Sequence, residues 1–165
     1  MILYILRHAI AAEKTDPNYR RDADRPLTEK GEQKMKDVAK AMGKMGLKFD
    51  VIISSPFLRA KETAGIVAEV FECRSLLKLS PHLAVGGNPA DLIKEINEDY
   101  PDAEEVLLVG HEPFLSSLIS TLLSGRTDLT ITLKKAGLCK LSIEKLRFGK
   151  CAVLEWLVGP GQLLA

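Results

Sequence analysis

Three stretches of this chain are apolar without polar interruption. They are residues 2–6 (Ile-Leu-Tyr-Ile-Leu), Val51–Ile53 and Val106–Val109. Short runs of this kind are what strands covered on both faces look like. Between them the apolar positions fall at helical spacing. Thr28 reads as an N-cap with Glu29 in the first turn, followed by Met35, Val38, Ala39 and Met42 and ended by Gly43 or Gly46. Ser55-Pro56 reads as N-cap and first helical residue of a second helix, with Thr63, Ile66, Val67, Val70 and Phe71 on one face. Asn88-Pro89 repeats that start ahead of Leu92, Ile93 and Ile96, and Leu115, Leu118, Ile119, Leu122 and Leu123 mark a fourth helix that stops at Gly125. Residues 76–79 are a short strand candidate, and 137–143 and 151–157 are two further strands with a turn near Phe148-Gly149. This order predicts a single domain over residues 1–165, an α/β fold built as a three-layer α/β/α sandwich around a mostly parallel mixed sheet.

Two segments escape the periodicity. Residues 9–27 are crowded with charge, including Arg20, Arg21, Asp22, Asp24 and Arg25. A connection of that length inside a compact domain is often functional. Residues 80–88 form a second loop that carries His82 and the flexible pair Gly86-Gly87.

Composition mostly removes possibilities. Lys and Arg number 23 against 22 Asp and Glu, a net charge of +1. Such a balance gives no general attraction to nucleic acid or to an anionic membrane, so any preference for an anion must come from a local site. No apolar run approaches the roughly 18 residues a bilayer span needs, and the start of the chain does not read as a secretion signal. A cytoplasmic protein is expected. Cys73, Cys139 and Cys151 match no zinc pattern. Cys139 and Cys151 could face each other across a hairpin, but free thiols in a reducing compartment are the simpler reading.

The chemistry sits at the ends of the three apolar runs. The first ends in Arg7-His8, the second is followed by Arg59, and the third by His111. Open α/β sheets place their ligands at the carboxyl ends of their strands, so parallel neighbours would bring these four side chains together. Arg59 would lie in the first turn of its helix, where free N–H groups and the helix dipole already suit an anion. Two guanidinium groups grip phosphoryl oxygens and oppose protonation of a nearby imidazole. A neutral imidazole can attack phosphorus, and a second one can donate to a non-bridging oxygen. The plainer alternatives are Arg59 as a surface residue paired with Glu62 or Glu69, and His111 as a satisfied core histidine. A metal held by His8, His82 and His111 lacks carboxylate or thiolate ligands at suitable spacing and would face two arginines, so neither metal nor cofactor is expected.

Leu6-Arg7-His8-Ala9, Ser54-Ser55-Pro56-Phe57-Leu58-Arg59-Ala60 and Val109-Gly110-His111 together resemble the histidine phosphatase superfamily, with its phosphoglycerate-mutase-like fold. The short chain and the Arg25-Pro26-Leu27-Thr28 segment look most like the SixA-type protein-histidine phosphatases. The resemblance implies a metal-independent phosphatase in which His8 accepts the phosphoryl group and Arg7, Arg59 and His111 form its pocket. Two positions depart from the pattern. Ala9 stands where the family usually has glycine. Pro81-His82-Leu83 stands where many members carry a glutamate that protonates an alkoxide leaving group. An imidazole leaves a phosphoramidate with less help than an alkoxide leaves an ester, so a missing acid favours phosphohistidine on a protein over a small phosphorylated molecule. His82, Glu112 or an acidic residue of loop 9–27 could still supply the proton, and Arg25 and His82 are further candidates for substrate contact. A phosphate-binding module without turnover is the alternative outside the enzyme class.

Overall fold

In the computed structural model, which describes all 165 residues, the three apolar runs are parallel neighbours at the centre of one sheet. They form β1 (Ile2–Arg7), β2 (Val51–Ser54) and β4 (Glu105–Gly110), with β3 (Leu77–Leu79) at one edge and β5 (Leu138–Ile143) and β6 (Ala152–Val158) completing the other. The order is β3-β2-β4-β1-β5-β6, parallel from β3 to β1 and antiparallel for β5 and β6. Register sets up the site. Leu6 and Ser54 both lie opposite Val109, and Arg7 lies opposite Gly110. The residues that follow these strands therefore emerge at one level of one sheet edge.

Because side chains alternate along a strand, each central strand feeds two cores. Leu3, Ile5, Val106 and Leu108 pack on one side with α3 (Pro89–Asp99) and α4 (Phe114–Ser124). Tyr4, Leu6, Leu107 and Val109 pack on the other with α1 (Glu29–Lys44) and α2 (Leu58–Val70). Each fully buried Val, Leu or Ile contributes on the order of 1.5–3 kcal/mol, so the layer that positions the strand ends is firmly held. This is the three-layer sandwich expected from the sequence. A short helix, α5 (Pro160–Leu163), follows β6 and lies outside that expectation. No helix is long and apolar enough to cross a membrane.

Local expectations fare unevenly. The Thr28 hydroxyl caps α1 by accepting from the Gly31 N–H, and Asn88 caps α3. α4 stops at Gly125, whose φ of 80° is left-handed. Helix α2, by contrast, begins at Leu58 with Phe57 as its extended cap residue, two residues later than Pro56 would have it. The Ser55 hydroxyl does accept from the Phe57 N–H, but it belongs to the loop before the helix. Loop 9–27 is more ordered than its composition suggests. Ala11 bridges to Leu27, the Ala12 N–H donates to the Pro26 carbonyl, the Thr28 N–H donates to the Ile10 carbonyl, and Asp22–Asp24 form a 3-10 turn. That return path runs over Gly31, where a Cβ would sit 2.0 Å from the Ile10 carbonyl oxygen, so only glycine fits. The three cysteines are free. Cys139 lies opposite Leu157 in the β5–β6 register, so it does not face Cys151.

Candidate active site

The four strand-end residues meet in a cleft of about 370 Å³ whose walls include Arg7, His8, Asp22, Arg25, Arg59, His111, Glu112 and Lys135. A wider depression of about 500 Å³ runs along α1, but Glu29, Lys30, Glu32, Gln33 and Lys36 alone line it, the solvated face of an amphipathic helix. Five cationic and three anionic side chains line the strand-end cleft. A chain that is nearly neutral overall thus concentrates positive charge at one place, as an anion site requires.

His8 is 6% exposed and His111 2% exposed, with ring centroids 5.2 Å apart. The His8 N–H donates to the Gly110 carbonyl, tying the residue to the end of β4. Its ring is oriented from both sides. Nδ1 lies 2.7 Å from the Ala9 carbonyl oxygen, which can only accept, so Nδ1 carries the hydrogen and Nε2 carries the lone pair. Arg59 Nε donates to that Nε2 at 3.3 Å. Burial, and then the positive charges of Arg59, Arg7 and Lys135, push His8 down to about 4, outweighing the Ala9 contact that favours its charged form. His8 is therefore neutral at pH 7, with Nε2 toward the cleft. Ala9 in place of glycine causes no backbone difficulty. The non-glycine residues with positive φ are Glu72 and Ala136, and the Ala9 N–H is satisfied by the Thr63 hydroxyl.

His111 is set in the opposite sense. Its Nε2 lies 2.7 Å from Ser55 Oγ. Ser55 Oγ accepts from the Phe57 N–H and keeps a hydrogen that it can donate to Nε2. With that hydroxyl donating to Nε2, the ring hydrogen sits on Nδ1, a buried atom with no protein partner. Burial and the charge of Arg59 bring His111 down to about 3, so it too is neutral. Arg7 donates from Nη1 to the Leu133 carbonyl at 3.0 Å, while its Nε is likewise buried and unpartnered. Unsatisfied buried donors are costly and uncommon. Two of them in one cationic cleft describe a place for oxyanion oxygens.

The sequence pairing of Arg59 with Glu62 or Glu69 does not occur. Glu62 accepts from the Leu27 N–H and Glu69 pairs with Arg74. Arg59 instead binds Asp22, through Nη1 to its carbonyl at 2.8 Å and Nη2 to Oδ2 at 3.0 Å. Of the five guanidinium hydrogens, these contacts and His8 use three and leave two. Asp22 also accepts from Arg25 Nε at 2.9 Å, and Arg25 reaches back to the Ala12 carbonyl. Burial alone would raise the Asp22 carboxyl, but Arg25 and Arg59 outweigh it and hold the group below the usual carboxylate range. Asp22 is the residue that sequence reasoning missed as a site component. Its signal was present only as charge alternation in a loop, with nothing to say that the loop folds over the strand ends.

Arg25 is thus in the cleft, 8% exposed. His82 is not. It lies in a 3-10 turn and lines a separate depression with Asp91, Lys94, Glu95, Glu98 and Asp99, while Val85 of the same loop reaches the cleft instead. The turn at Pro81-His82-Leu83 buries Leu83 and directs the imidazole away. The three histidines are therefore not gathered, and no cluster of three His, Cys, Asp or Glu side chains is placed to hold a metal.

Residues 3–84 match the model of the histidine phosphatase superfamily (branch 1). The chain belongs to the histidine phosphatase superfamily. An uncharacterised Picosynechococcus protein is 40% identical over 149 residues, 86% of this chain and 84% of that one. Among solved structures, the protein histidine phosphatase SixA bound to tungstate superposes with a TM-score of 0.82 at 23% identity, covering 99% of each chain. Phosphoserine phosphatase from Entamoeba histolytica with phosphoserine gives 0.74 at 17%, again over 99% of each. Alpha-ribazole phosphatase from Shigella flexneri gives 0.69 at 18%, over 97% of each. At these identities the solved structures establish a shared fold, and the arrangement within the cleft carries the chemistry.

Proposed function

We propose that this histidine phosphatase superfamily member hydrolyses phosphohistidine on proteins, through a phosphoryl group carried on His8 and without a metal. The observation that carries the reading is the state of His8: neutral, with Nδ1–H tied to the Ala9 carbonyl and the lone pair on Nε2, which only the Arg59 Nε–H holds in a cationic cleft. His8 Nε2 gives up its contact with the Arg59 Nε–H and attacks phosphorus, and the leaving group departs. Water then attacks the phosphohistidine and releases phosphate. Arg7 Nε, the free Arg59 hydrogens and His111 Nδ1–H hold the equatorial oxygens through both steps. These donors are fixed before substrate arrives, and that preorganisation is where such sites gain most of their rate.

The substrate class rests on two supports. SixA, at a TM-score of 0.82, is a protein histidine phosphatase whose structure holds a tetrahedral oxyanion. The loop that carries an acid in many superfamily members here carries His82, turned away from the cleft. With a protein substrate, the proposal extends to a role in signal transduction in the cytoplasm. A small phosphomonoester is the second reading, favoured by the cleft carboxyl of Glu112.

The test is to incubate the protein, in chelator, with a phosphohistidine-bearing protein and in parallel with a panel of small phosphomonoesters. Faster release from the phosphoprotein is expected. Loss of activity in chelator would remove the metal-free mechanism. Tight phosphate binding with no turnover of either class would make the protein a sensor.

A further inference from the structure

A histidine nucleophile leaves one task unassigned, which is protonation of the departing group. Four groups deserve comparison. His82 does not reach the cleft. Asp22 is held as a carboxylate by Arg25 and Arg59, so it has no proton to give. Glu13 lies on the rim and is solvent-exposed. Glu112 differs from all three. It follows His111 directly, lines the cleft with His8, and is partly buried. Its Oε2 is fixed by the hydroxyl of Ser116 in the first turn of α4, while its Oε1 is buried and has no protein partner. One oxygen is thus anchored and the other is left for a proton or for the substrate. Ser116 Oγ also lies 3.2 Å from the Pro113 carbonyl, so its hydrogen can point either way as Glu112 gains or loses a proton.

We propose that Glu112 is the general acid and base of this site, and that it extends the reaction to phosphomonoesters whose leaving group is an unactivated alkoxide. The proposal rests on the phosphatase reading above. In the first half-reaction the Nε2 lone pair of His8 forms the N–P bond. The P–O bond to the leaving group breaks, its electron pair stays on that oxygen, and the Glu112 carboxyl supplies the proton, giving an alcohol, phosphohistidine and a Glu112 carboxylate. In the second, the carboxylate takes a proton from water as the water oxygen bonds to phosphorus. The P–N bond breaks with its pair returning to Nε2. Hydrogen phosphate leaves, and both side chains are restored.

A leaving-group comparison tests this, since it reads proton donation apart from folding. kcat/KM is measured for wild type, Glu112→Gln and Glu112→Asp on phosphoserine, whose alkoxide needs a proton, and on p-nitrophenyl phosphate, whose phenolate does not. General acid catalysis contributes roughly 10²–10⁴-fold. E112Q is therefore expected to lose on the order of 10²-fold more on phosphoserine than on p-nitrophenyl phosphate, with E112D between it and wild type. Equal losses on both substrates would overturn the acid role. So would a wild type that turns over p-nitrophenyl phosphate and phosphohistidine but not phosphoserine, which would leave the phosphatase reading intact. A wild type inactive on all three would overturn both.

Discussion

The floor of the cleft and its rim are made in different ways. Arg7, His8, Arg59 and His111 end or follow strands or open a helix whose neighbours are almost wholly buried, and His8, Arg59 and His111 are themselves nearly inaccessible. Glu13, Lys14, Val85 and Lys135 come from loops and are exposed. The floor is fixed by the same packing that stabilises the sheet, so its geometry is set before any ligand arrives. The rim has no such support and can change without cost to the fold. The proposed function places chemistry on the floor and partner choice on the rim, and each half of that division can be broken by experiment.

The largest effect belongs at the floor. His8→Ala is expected to lower turnover of phosphohistidine and phosphomonoesters alike by on the order of 10³-fold or more. It should also abolish the acid-labile phosphoryl label that wild type acquires during turnover. A variant that kept its rate would remove His8 as the nucleophile, and the floor would lose its claim to the chemistry.

How legible the two parts were in the sequence follows from the same difference. Arg7, His8, Arg59 and His111 could be placed together because strand ends in a parallel sheet share an edge, and the apolar runs that announce those strands are short, continuous and unambiguous. Arg25 was legible as a candidate but its reason was not. It is buried because Asp22 pairs with it and with Arg59, and that depends on loop 9–27 folding back across Gly31. His82 shows the opposite failure. The family resemblance puts it where many members carry an acid, yet a 3-10 turn of three residues turns the ring away. Helix and strand periodicity carries no information about such turns. Ser55 reads as a helix cap, yet it lies in the loop before α2, where its hydroxyl meets His111 as well as the Phe57 N–H.

The next effect concerns pH. His8 is brought down to about 4 and His111 to about 3 from an ordinary value near 6.5. Between roughly pH 6.5 and pH 4 the unfolded chain binds protons that the folded site refuses. Stability is therefore full above about 6.5 and is lost as pH falls toward 4, by on the order of 3 kcal/mol from His8 alone. Urea denaturation between pH 4.5 and 7.5 should show the midpoint rising with pH, and less steeply in His8→Ala. A midpoint independent of pH, or one that fell as pH rose, would show that the imidazoles are not buried neutral.

Asp22 joins floor to rim. Asp22→Asn keeps the shape but weakens the grip on Arg25 and Arg59. Small misplacements of a positioning group cost up to about 10²-fold, and a loss in kcat/KM of about 10- to 100-fold is expected. Arg25→Lys in the same background should add little, because both changes act through one contact and their effects are not additive. Fully additive losses in that double-mutant cycle would mean that Arg25 touches substrate independently of Asp22.

The smallest effect is the sharpest test of the rim. Lys135 is exposed and lines the cleft. Its place is fixed by Ala136, whose left-handed φ of 58° lets its N–H reach the Arg7 and His8 carbonyls. The turn is anchored and the side chain is not. A solvated charge of this kind is worth at most about 1 kcal/mol and is screened by salt. Lys135→Ala is therefore expected to raise KM for a phosphorylated protein by about 2- to 5-fold at low salt, with the effect fading as salt is added and kcat little altered. The change should be weaker for a small ester, which engages the floor alone. If kcat fell instead, and equally for both substrates, Lys135 would be acting on His8 through its charge rather than on the partner, and the boundary between floor and rim would have to be drawn outside it.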